Sequence, residues 1–372
     1  MEGLLLLVGS LMYRILRPLL FHLEAENAHN LALRTLRVVG SLPGGKTALR
    51  AIYSVTDPKL AQTLRGITFP NPVGLAAGFD KDALVPDGFA ALGFGFVEVG
   101  TLTPLPQLGN PRPRILRLPE DYGIINRMGF NNNGAHEAAK RLARLRVPVP
   151  LGVNIGRNKD ASNERALDDY LTAFDVLAQH ANYLVVNVSS PITPGLRDLL
   201  ARDKLTELLG AIAARRPLVS HDSSSQGRSN AKRLLLFVKI SPDLRDNDLA
   251  DIAAVVRDID FDGVIATNTT VNRDGLYSPQ QVEAGGLSGR PLAARARMCI
   301  ARIRDLLGDQ PLLIGVGGIL SADDALAVLR AGADLVQVYT GIVYRGPSLA
   351  RHINSGIAAA LKRGEFAFRT HS

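Results

Sequence analysis

The amino-acid sequence predicts a (β/α)8 barrel of the TIM type, an α/β fold, with a small helical appendage at its N-terminus. From about Asn71 onward, eight short runs rich in Val, Ile and Leu recur without alternating polar residues, which is typical of parallel strands covered on both faces. Amphipathic stretches such as "AHEAAKRLARL" lie between them, as strand–helix units require. An open doubly wound sheet is the alternative, but "GLAAGFDK" does not fit the G-x-G-x-x-G pattern expected after its first strand.

The predicted strands span residues 73–77, 96–100, 149–155, 183–188, 234–240, 263–267, 312–316 and 335–339. We assign residues 46–372 to the catalytic barrel domain. A hydrophilic stretch at 219–233 joins a helix to the start of the fifth strand. We therefore expect it at the N-terminal face of the barrel, away from the active site, and assign it no function.

Residues 1–45 form a separate predicted segment with no strand pattern, two apparent helices and a helix-breaking "GSLPGGK" near its end. Its start, "MEGLLLLVGSLMYRILRPLLF", lacks the basic beginning and the cleavage site of a signal peptide. Arg14, Arg17 and Pro18 interrupt the run of about 20 apolar residues that a spanning helix needs. We interpret the segment as a membrane-associating, interfacial element. A helix that packs on its own domain is the alternative.

The net charge of the chain indicates which classes of binding partner are favoured. The chain of 372 residues has a net charge of +8, which favours an anionic membrane surface or a small anion. Nucleic acid is not expected, because the basic residues are scattered and the 5% of aromatic residues, without Trp, offer no stacking platform. A single cysteine, Cys299, excludes an internal disulfide and fits a reducing compartment.

The C-terminal ends of the predicted strands, where such barrels keep their active sites, concentrate amides, lysines and glycines. No histidine or carboxylate cluster stands there, so no metal is expected. Glycine clusters at 285–289, 315–318 and 341 favour a bound phosphate. Amides suit a pyrimidine or flavin ring, and lysines suit a carboxylate or a negatively charged flavin. The side chains concerned are Asn126, Asn154, Asn187, Asn268, Lys81 and Lys239.

Several motifs in a fixed order carry a resemblance to a known family: "GLAAGFDKDA", "NRMGFNNNG", "GVNIGRNK", "VVNVSSP", "VKISPDL", "ATNTTV", "GGLSGRPL", "IGVGGI" and "VQVYTG". Over about residues 12–366 the chain resembles dihydroorotate dehydrogenase, in its membrane-associated, quinone-reducing class. The resemblance implies one FMN per chain and oxidation of (S)-dihydroorotate to orotate in de novo pyrimidine biosynthesis. It also implies a membrane quinone as the electron acceptor.

The resemblance further implies residue roles. Ser190 would be the catalytic base, with Thr193 and Phe130 relaying its proton, while hydride passes to N5 of FMN; cytosolic classes use cysteine there, and Cys299 lies elsewhere. The residues matching FMN contacts are Ala77, Thr101, Asn154, Asn187, Lys239, Thr267, Gly289, Gly318, Tyr339 and Thr340, the last four nearest the phosphate. Those matching substrate contacts are Lys81, Asn126, Arg127, Met128, Gly129, Phe130, Asn187, Asn268 and Thr269. His29 and Arg117 match residues that line a quinone tunnel.

Ile192 departs from the family pattern. The family reads "SSPNTPG" where this chain has "SSPITPG", and the asparagine amide hydrogen-bonds the substrate. Isoleucine has no hydrogen-bonding group, so its presence predicts a loss of about 1–3 kcal/mol in substrate binding, roughly 5- to 100-fold. A shifted neighbour or an ordered water would offset that loss.

Two functions of other classes stay open at this point. A phosphate-binding aldolase would use Lys239 to form a Schiff base and would be colourless. A binding or scaffold protein disabled by Ile192 would hold FMN without turning over. For the enzyme, the lipid-dissolved acceptor predicts a peripheral protein, by expectation a monomer, on the cytoplasmic side of a bacterial inner membrane. The mitochondrial inner membrane is the alternative.

Overall fold

The computed structural model describes residues 13–191, 195–220 and 231–370. The α-helices are α1 (residues 13–22), α2 (Ala25–Ser41), α3 (Gly45–Tyr53), α4 (Pro86–Ala91), α5 (Ala135–Leu142), α6 (Ala166–Leu177), α7 (Arg202–Ala214), α8 (Asp246–Asp258), α9 (Ala293–Leu307), α10 (Ala322–Arg330), α11 (Thr340–Arg345) and α12 (Leu349–Arg363). The β-strands are β1 (Gln62–Leu64), β2 (Ile67–Phe69), β3 (Val73–Leu75), β4 (Phe96–Leu102), β5 (Ile115–Leu118), β6 (Gly123–Asn126), β7 (Leu151–Ile155), β8 (Tyr183–Asn187), β9 (Leu218–Ser220), β10 (Ala231–Arg233), β11 (Leu235–Ile240), β12 (Gly263–Ala266), β13 (Gly286–Gly289), β14 (Leu312–Val316) and β15 (Leu335–Val338).

Eight parallel strands close into a barrel in the order β3, β4, β7, β8, β11, β12, β14, β15, and β15 pairs back with β3. The predicted (β/α)8 fold is confirmed, and each predicted run overlaps one of these strands. Every residue of β4, β7, β8 and β11 is buried, because helices cover the outside of the barrel and side chains fill its inside.

Aromatic side chains fill the N-terminal end of the barrel. The ring of Tyr183 lies 6.3 Å from that of Phe96 and 5.6 Å from that of Phe237, centroid to centroid. Glycines opposite make the room: a Cβ on Gly152 would lie 2.0 Å from Cζ of Tyr183, and one on Gly74 would lie 2.3 Å from Cε2 of Phe96. The β1–β2 hairpin adds Phe69 to this cluster. The filled lower end leaves ligands only the C-terminal end.

An additional antiparallel sheet, which the sequence pattern did not predict, stands beside that C-terminal end. It pairs β6 with β5 on one side and with β13 on the other. Its register places Gly286 opposite Asn126 and Gly289 opposite Gly123. Residues that the sequence separates by about half the chain therefore meet at the rim of one site.

The helical appendage is joined to the barrel side of the molecule by a buried ion pair. Glu26 of α2 is 3% exposed, and its two carboxylate oxygens accept from Nε and Nη2 of Arg114, at 2.9 and 2.7 Å. Arg112 donates a further hydrogen bond at 3.0 Å. Burial alone would raise the pKa of Glu26, but the bonds and charges of the two arginines hold it below its usual value. This bidentate contact fixes how α2 lies over the barrel mouth.

The predicted insertion at 219–233 lies partly outside the described residues. Its described ends, β9 and β10, pair antiparallel immediately before β11. They lead into the N-terminal end of β11, opposite to the strand ends that form the site. Among the described residues, no helix has both the length and the apolar character needed to cross a membrane.

Candidate active site

A cavity opens at the C-terminal end of the barrel, with about 1040 Å³ of space counted out to its mouth. Most of the residues predicted for the site line it: Ala77, Lys81, Thr101, Asn126, Met128, Gly129, Phe130, Asn187, Ser190, Lys239, Thr267, Asn268, Thr269, Gly289, Gly318, Tyr339 and Thr340. Two do not. Asn154 lies behind Thr101 and Asn187, and Arg127 turns its guanidinium to Glu283, at 2.8 Å, and to a backbone carbonyl.

A row of hydrogen-bonded amides runs across three strands beneath the cavity. Asn154 Oδ1 accepts from Thr101 Oγ1 at 2.6 Å and from Asn187 Nδ2 at 3.2 Å. Asn187 Oδ1 accepts in turn from Ser189 Oγ at 3.1 Å, and Asn268 Nδ2 donates to Ser189 Oγ at 3.0 Å. Each amide is thus held in one orientation, and those of Asn187 and Asn268, which line the cavity, present a fixed edge to a ligand.

The carboxylate of Glu98, on β4, begins this row. Glu98 is fully buried, and its oxygens accept from Asn154 Nδ2 at 2.8 Å and from Gln337 Nε2 at 2.6 Å. The ammonium of Lys239 lies 3.9 Å from the same carboxylate. Burial lowers the pKa of Lys239, and the charge of Glu98 opposes that shift. Glu98 and Gln337 were not among the predicted site residues. Their sequence signal is that each is a polar residue inside a run predicted to be buried.

Gln337 has an unused acceptor. Its side chain is buried and lines the cavity. With its amide nitrogen donating to Glu98, its Oε1 has no partner among the described atoms. A buried acceptor without a partner is costly, so this oxygen fits a ligand that brings an N–H group.

Backbone, rather than large side chains, forms one end of the cavity. Gly318 has φ +73°, and a Cβ there would lie 2.4 Å from Cα of Ala293 at the start of α9. Gly289 has φ +93°, and a Cβ there would lie 2.3 Å from the carbonyl oxygen of Tyr122. The hydroxyls of Ser288 and Thr340, 2.8 Å apart, line the same end. Amide N–H and hydroxyl groups at a glycine-rich turn suit a phosphate.

The loop after β6 brings Phe130 to the cavity. Phe130 has φ +51°, an uncommon value for a residue with a side chain. Gln107 donates to its carbonyl at 3.1 Å and Asn132 donates to the same oxygen at 2.7 Å. The ring lies close to Gly156, where a Cβ would approach it to 3.2 Å. These contacts hold an apolar wall against the polar row.

Ser190 follows β8 and is 4% exposed. The preceding turn is fixed by Tyr170, whose hydroxyl donates to the carbonyl of Asn187 at 2.7 Å, and by the backbone N–H of Ser189, which donates to Asn187 Oδ1 at 3.3 Å. A hydroxyl is therefore positioned in the cavity with little access to water. Ile192 and Thr193 lie outside the described residues.

Lys81 also lines the cavity. Burial lowers its pKa to about 8, with the charge of Arg114 adding to that shift and the charge of Glu26 opposing it. No carboxylate lies within 4 Å of its ammonium among the described residues. An anionic ligand would supply that missing charge.

A second, apolar cavity of about 1490 Å³ lies between the appendage and the barrel. Tyr339 lines both cavities, and its ring contacts that of Phe79 with centroids 5.3 Å apart. The predicted tunnel residues His29 and Arg117 line this second cavity. Burial, helped by the charge of Lys81, lowers the pKa of His29 to about 3, so that its imidazole is neutral. Arg117 donates to the carbonyls of Phe21 and Leu23, at 3.1 and 3.0 Å.

The comparisons with known proteins agree with this architecture. The sequence profile of the family described as Dihydroorotate dehydrogenase matches residues 59–361. A Roseiflexus protein named Dihydroorotate dehydrogenase (quinone) is 48% identical over 95% of this chain and 96% of its own length. The protein of the same name from Mycobacterium tuberculosis is 46% identical over 95% and 96%. A solved structure of DHODH from Eimeria tenella, in complex with ferulenol, has a TM-score of 0.81 and 41% identity, with 91% of this chain and 92% of that chain covered.

Replacing Glu98 by Leu should destabilise the fold. It leaves Lys239 buried without a counter-charge and two amide donors without an acceptor, so we expect a loss on the order of 3–5 kcal/mol in the free energy of unfolding, measured with urea. The double variant Glu98→Leu/Lys239→Met should lose less than Glu98→Leu alone, because no charge remains buried.

Glu137 provides the control. It pairs with Lys140 at 2.7 Å on the exposed face of α5, and Glu137→Leu should change the unfolding free energy by at most about 0.5 kcal/mol. If the Glu98 double variant loses as much as the sum of its two single variants, Glu98 and Lys239 are not coupled.

Proposed function

The chain belongs to the dihydroorotate dehydrogenase family, and on that premise we propose how its site carries out the reaction. It is an oxidoreductase that oxidises dihydroorotate with a quinone as the acceptor. This membership removes the Schiff-base aldolase from consideration. We propose that one FMN binds per chain, that Ser190 is the base and that the quinone enters through the apolar cavity.

The residues of the main cavity fit FMN. The glycine-rich end with Gly289, Gly318 and Thr340 suits the phosphate, and the amide row with the free oxygen of Gln337 suits the edge of a ring that alternates donors and acceptors. Lys239 would sit near the ring as a buried cation. Bound there, FMN supplies the acceptor for hydride and a route for two electrons to the quinone.

We assign dihydroorotate to the part of the cavity near Lys81 and the amides of Asn187 and Asn268. We assign its carboxylate to Lys81, whose ammonium has room for an anion. Asn126, Asn187, Asn268 and Thr269 supply the polar groups for its ring, and Met128, Gly129 and Phe130 close over it. Arg127 would act indirectly, because its contacts with Glu283 and Ala284 fix the loop that holds these residues.

In this arrangement Ser190 would remove a proton from a ring carbon as hydride leaves the neighbouring carbon. Serine is a weak base in water, so its use requires a dry site and a path for the proton. The burial of Ser190 and the apolar ring of Phe130 support the first requirement. We assign the proton path to Thr193 and Phe130, as the family resemblance implies.

The quinone reaches the protein from a membrane. The apolar cavity, with neutral His29 as a hydrogen-bonding group and Arg117 at its wall, suits a lipid-soluble ring. We propose that residues 1–45 dock peripherally on the cytoplasmic face of a membrane, a bacterial inner membrane in the preferred interpretation, and leave the barrel in water.

The observation that best supports the proposal is that Tyr339 lines both cavities. Electron transfer from the polar substrate, dihydroorotate, to the apolar one, the quinone, needs their two sites to be close together. The test is anaerobic: dihydroorotate should bleach the yellow protein, and a quinone should restore the colour. A colourless protein, or one that does not bleach, contradicts the proposal.

Ser190→Ala should slow the bleaching by about 10²- to 10⁴-fold, the usual contribution of a general base. Orotate binding, titrated through the flavin absorbance, should change little. Ser355→Ala removes a hydroxyl from α12, outside this cavity, and should leave the bleaching rate nearly unchanged. An unchanged rate in Ser190→Ala rules out this serine as the base.

Orotate binding should weaken as the pH rises through 8. Lys81 has a pKa of about 8 in the free protein, and only its protonated form pairs with a carboxylate. The dissociation constant should therefore rise by about tenfold per pH unit above 8. The Lys81→Met variant should bind orotate weakly, and its dissociation constant should not change with pH in this range. If the variant shows the same pH dependence as the wild type, a group other than Lys81 causes it.

Restoring the family's amide by Ile192→Asn should raise kcat/KM for dihydroorotate by roughly 5- to 100-fold, since one hydrogen bond to the substrate returns. Steady-state kinetics of the two proteins, loaded equally with FMN, measure the effect. Equal values would mean that the pocket does not need this amide.

A further inference from the structure

A third cavity, separate from the two already described, opens beside α1. It has about 1630 Å³ of space counted out to its mouth. Its walls come from α1, the β5–β6 turn, the loop before α10, the end of α11 and the start of α12, and it shares no lining residue with the other two cavities. The residues are Arg14, Arg17, Tyr122, Leu320, Ser321, Tyr344, Arg345, Ser348, Leu349 and His352. Nothing in the proposed reaction uses it.

The cavity is lined by positively charged side chains. Arg14, Arg17 and Arg345 line it, and Arg290 lies beside it with its guanidinium 4.2 Å from the ring centroid of Tyr122. Among the described residues, none of these four arginines has a carboxylate within 4 Å, and no carboxylate lines the cavity. The arginines beneath α2 differ, because Arg112 and Arg114 both pair with Glu26.

Three carboxylates that are close in the chain to residues of these walls have other partners. Asp324 accepts from Ser321 Oγ at 2.8 Å and from the backbone N–H of Leu320 at 3.0 Å, at the start of α10. Glu120 and Asp121 accept from Ser278 and from backbone N–H groups of the loop before residue 279. The arginines of the cavity are therefore available to an external anion. Arg17 is also oriented, since its Nη1 donates to the carbonyl of Tyr344 at 3.2 Å.

Exposed apolar side chains lie on the same segment as two of these arginines. Ile15 and Leu19 of α1, and Leu23 immediately after it, are 65%, 66% and 44% exposed and follow one another at intervals of four residues. Helices that lie in a bilayer interface have this pairing of an apolar face with basic side chains, the first in the acyl region and the second among the headgroups. The segment that carries Arg14 and Arg17 of the cavity therefore has the composition of a membrane-surface helix.

We propose that this cavity binds the phosphate headgroup of an anionic phospholipid. The guanidinium groups match a phosphate in charge and shape, and the hydroxyl of Ser348 adds a further polar group to the cavity wall. The proposal deepens the membrane docking of the proposed function and rests on it. A lipid held here would fix α1, whose other side lines the apolar cavity.

The test compares two double variants that lose the same charge. Arg14→Gln/Arg345→Gln removes two arginines of the cavity. Arg34→Gln/Arg37→Gln removes two exposed arginines of α2 that are outside it. The full chain, loaded with its cofactor, is sedimented with phosphatidylcholine vesicles that contain or lack phosphatidylglycerol. The cavity variant should lose at least about tenfold in binding to the anionic vesicles, at about 1 kcal/mol per basic residue near the surface, and the α2 variant should lose clearly less.

Equal losses in the two variants overturn the proposal, because they indicate only general attraction of charge to the surface. A second measurement separates the sources of phosphate. Short-chain phosphatidylglycerol, kept below its micelle concentration, should shift the NMR signals of labelled arginine side chains in the wild type and not in the cavity variant. Inorganic phosphate at the same concentration should shift them less; equal saturation by it would overturn a lipid headgroup as the occupant.

Neither measurement uses turnover. Failure of the proposed reaction would appear as a protein that binds vesicles but does not bleach with dihydroorotate. Failure of the headgroup site would appear as normal bleaching in the full chain with equal vesicle binding by the two variants. The two outcomes are therefore distinguishable.

Discussion

The polar interior of the barrel depends on the buried carboxylate of Glu98. An ionised carboxylate only accepts hydrogen bonds, so the amides of Asn154 and Gln337 turn their nitrogens toward it. The oxygen of Asn154 then faces Thr101 and Asn187, and the oxygen of Gln337 is left over. A side chain that does not line the cavity thus decides which atoms the ligand meets. The cost of burying that charge is offset by its three neighbours, Asn154, Gln337 and Lys239, and this is the kind of network that is stable only when it is complete.

Layers above and below this charge divide the barrel by function. The aromatic cluster around Tyr183 fills the N-terminal end, so the polar row packs against closely packed rings on that side. The antiparallel sheet of β5, β6 and β13 stands above it and brings Asn126 and Gly289 to the rim from distant parts of the chain. Catalytic groups from several strand ends can then meet in one cavity, which explains why the loops carry the chemistry and the strands carry the stability.

The sequence was sufficient for the barrel and for most of the cavity wall, because strand ends in a parallel barrel all point to one face. It was not sufficient to predict which of these residues reach the cavity surface and which lie behind it. Asn154 stands at a strand end as expected, yet it lies behind Thr101 and Asn187, since the stagger between strands is set by pairing across the barrel. Glu98 was not predicted because it lies within a strand, whereas the residues of such sites are expected at strand ends. The β6–β13 pairing was missed because no local pattern encodes contacts between residues so far apart in the chain.

The separation of the two main cavities has an electrostatic consequence. Dihydroorotate is an anion from water, whereas a quinone is a neutral molecule from lipid, so the protein needs a cation in one cavity and no titrating charge in the other. Lys81, which we propose for the substrate carboxylate, lies close enough to His29 that its positive charge disfavours a second one there. The same lysine that would attract the anion thus helps to keep the imidazole neutral, and the apolar cavity remains compatible with a lipid-soluble ring. An anionic substrate that neutralised Lys81 would weaken this effect, but burial is the larger cause of the low pKa of His29 and does not depend on the ligand. The neutrality of the His29 imidazole is therefore built into the packing of α2 on the barrel, and the lysine reinforces it.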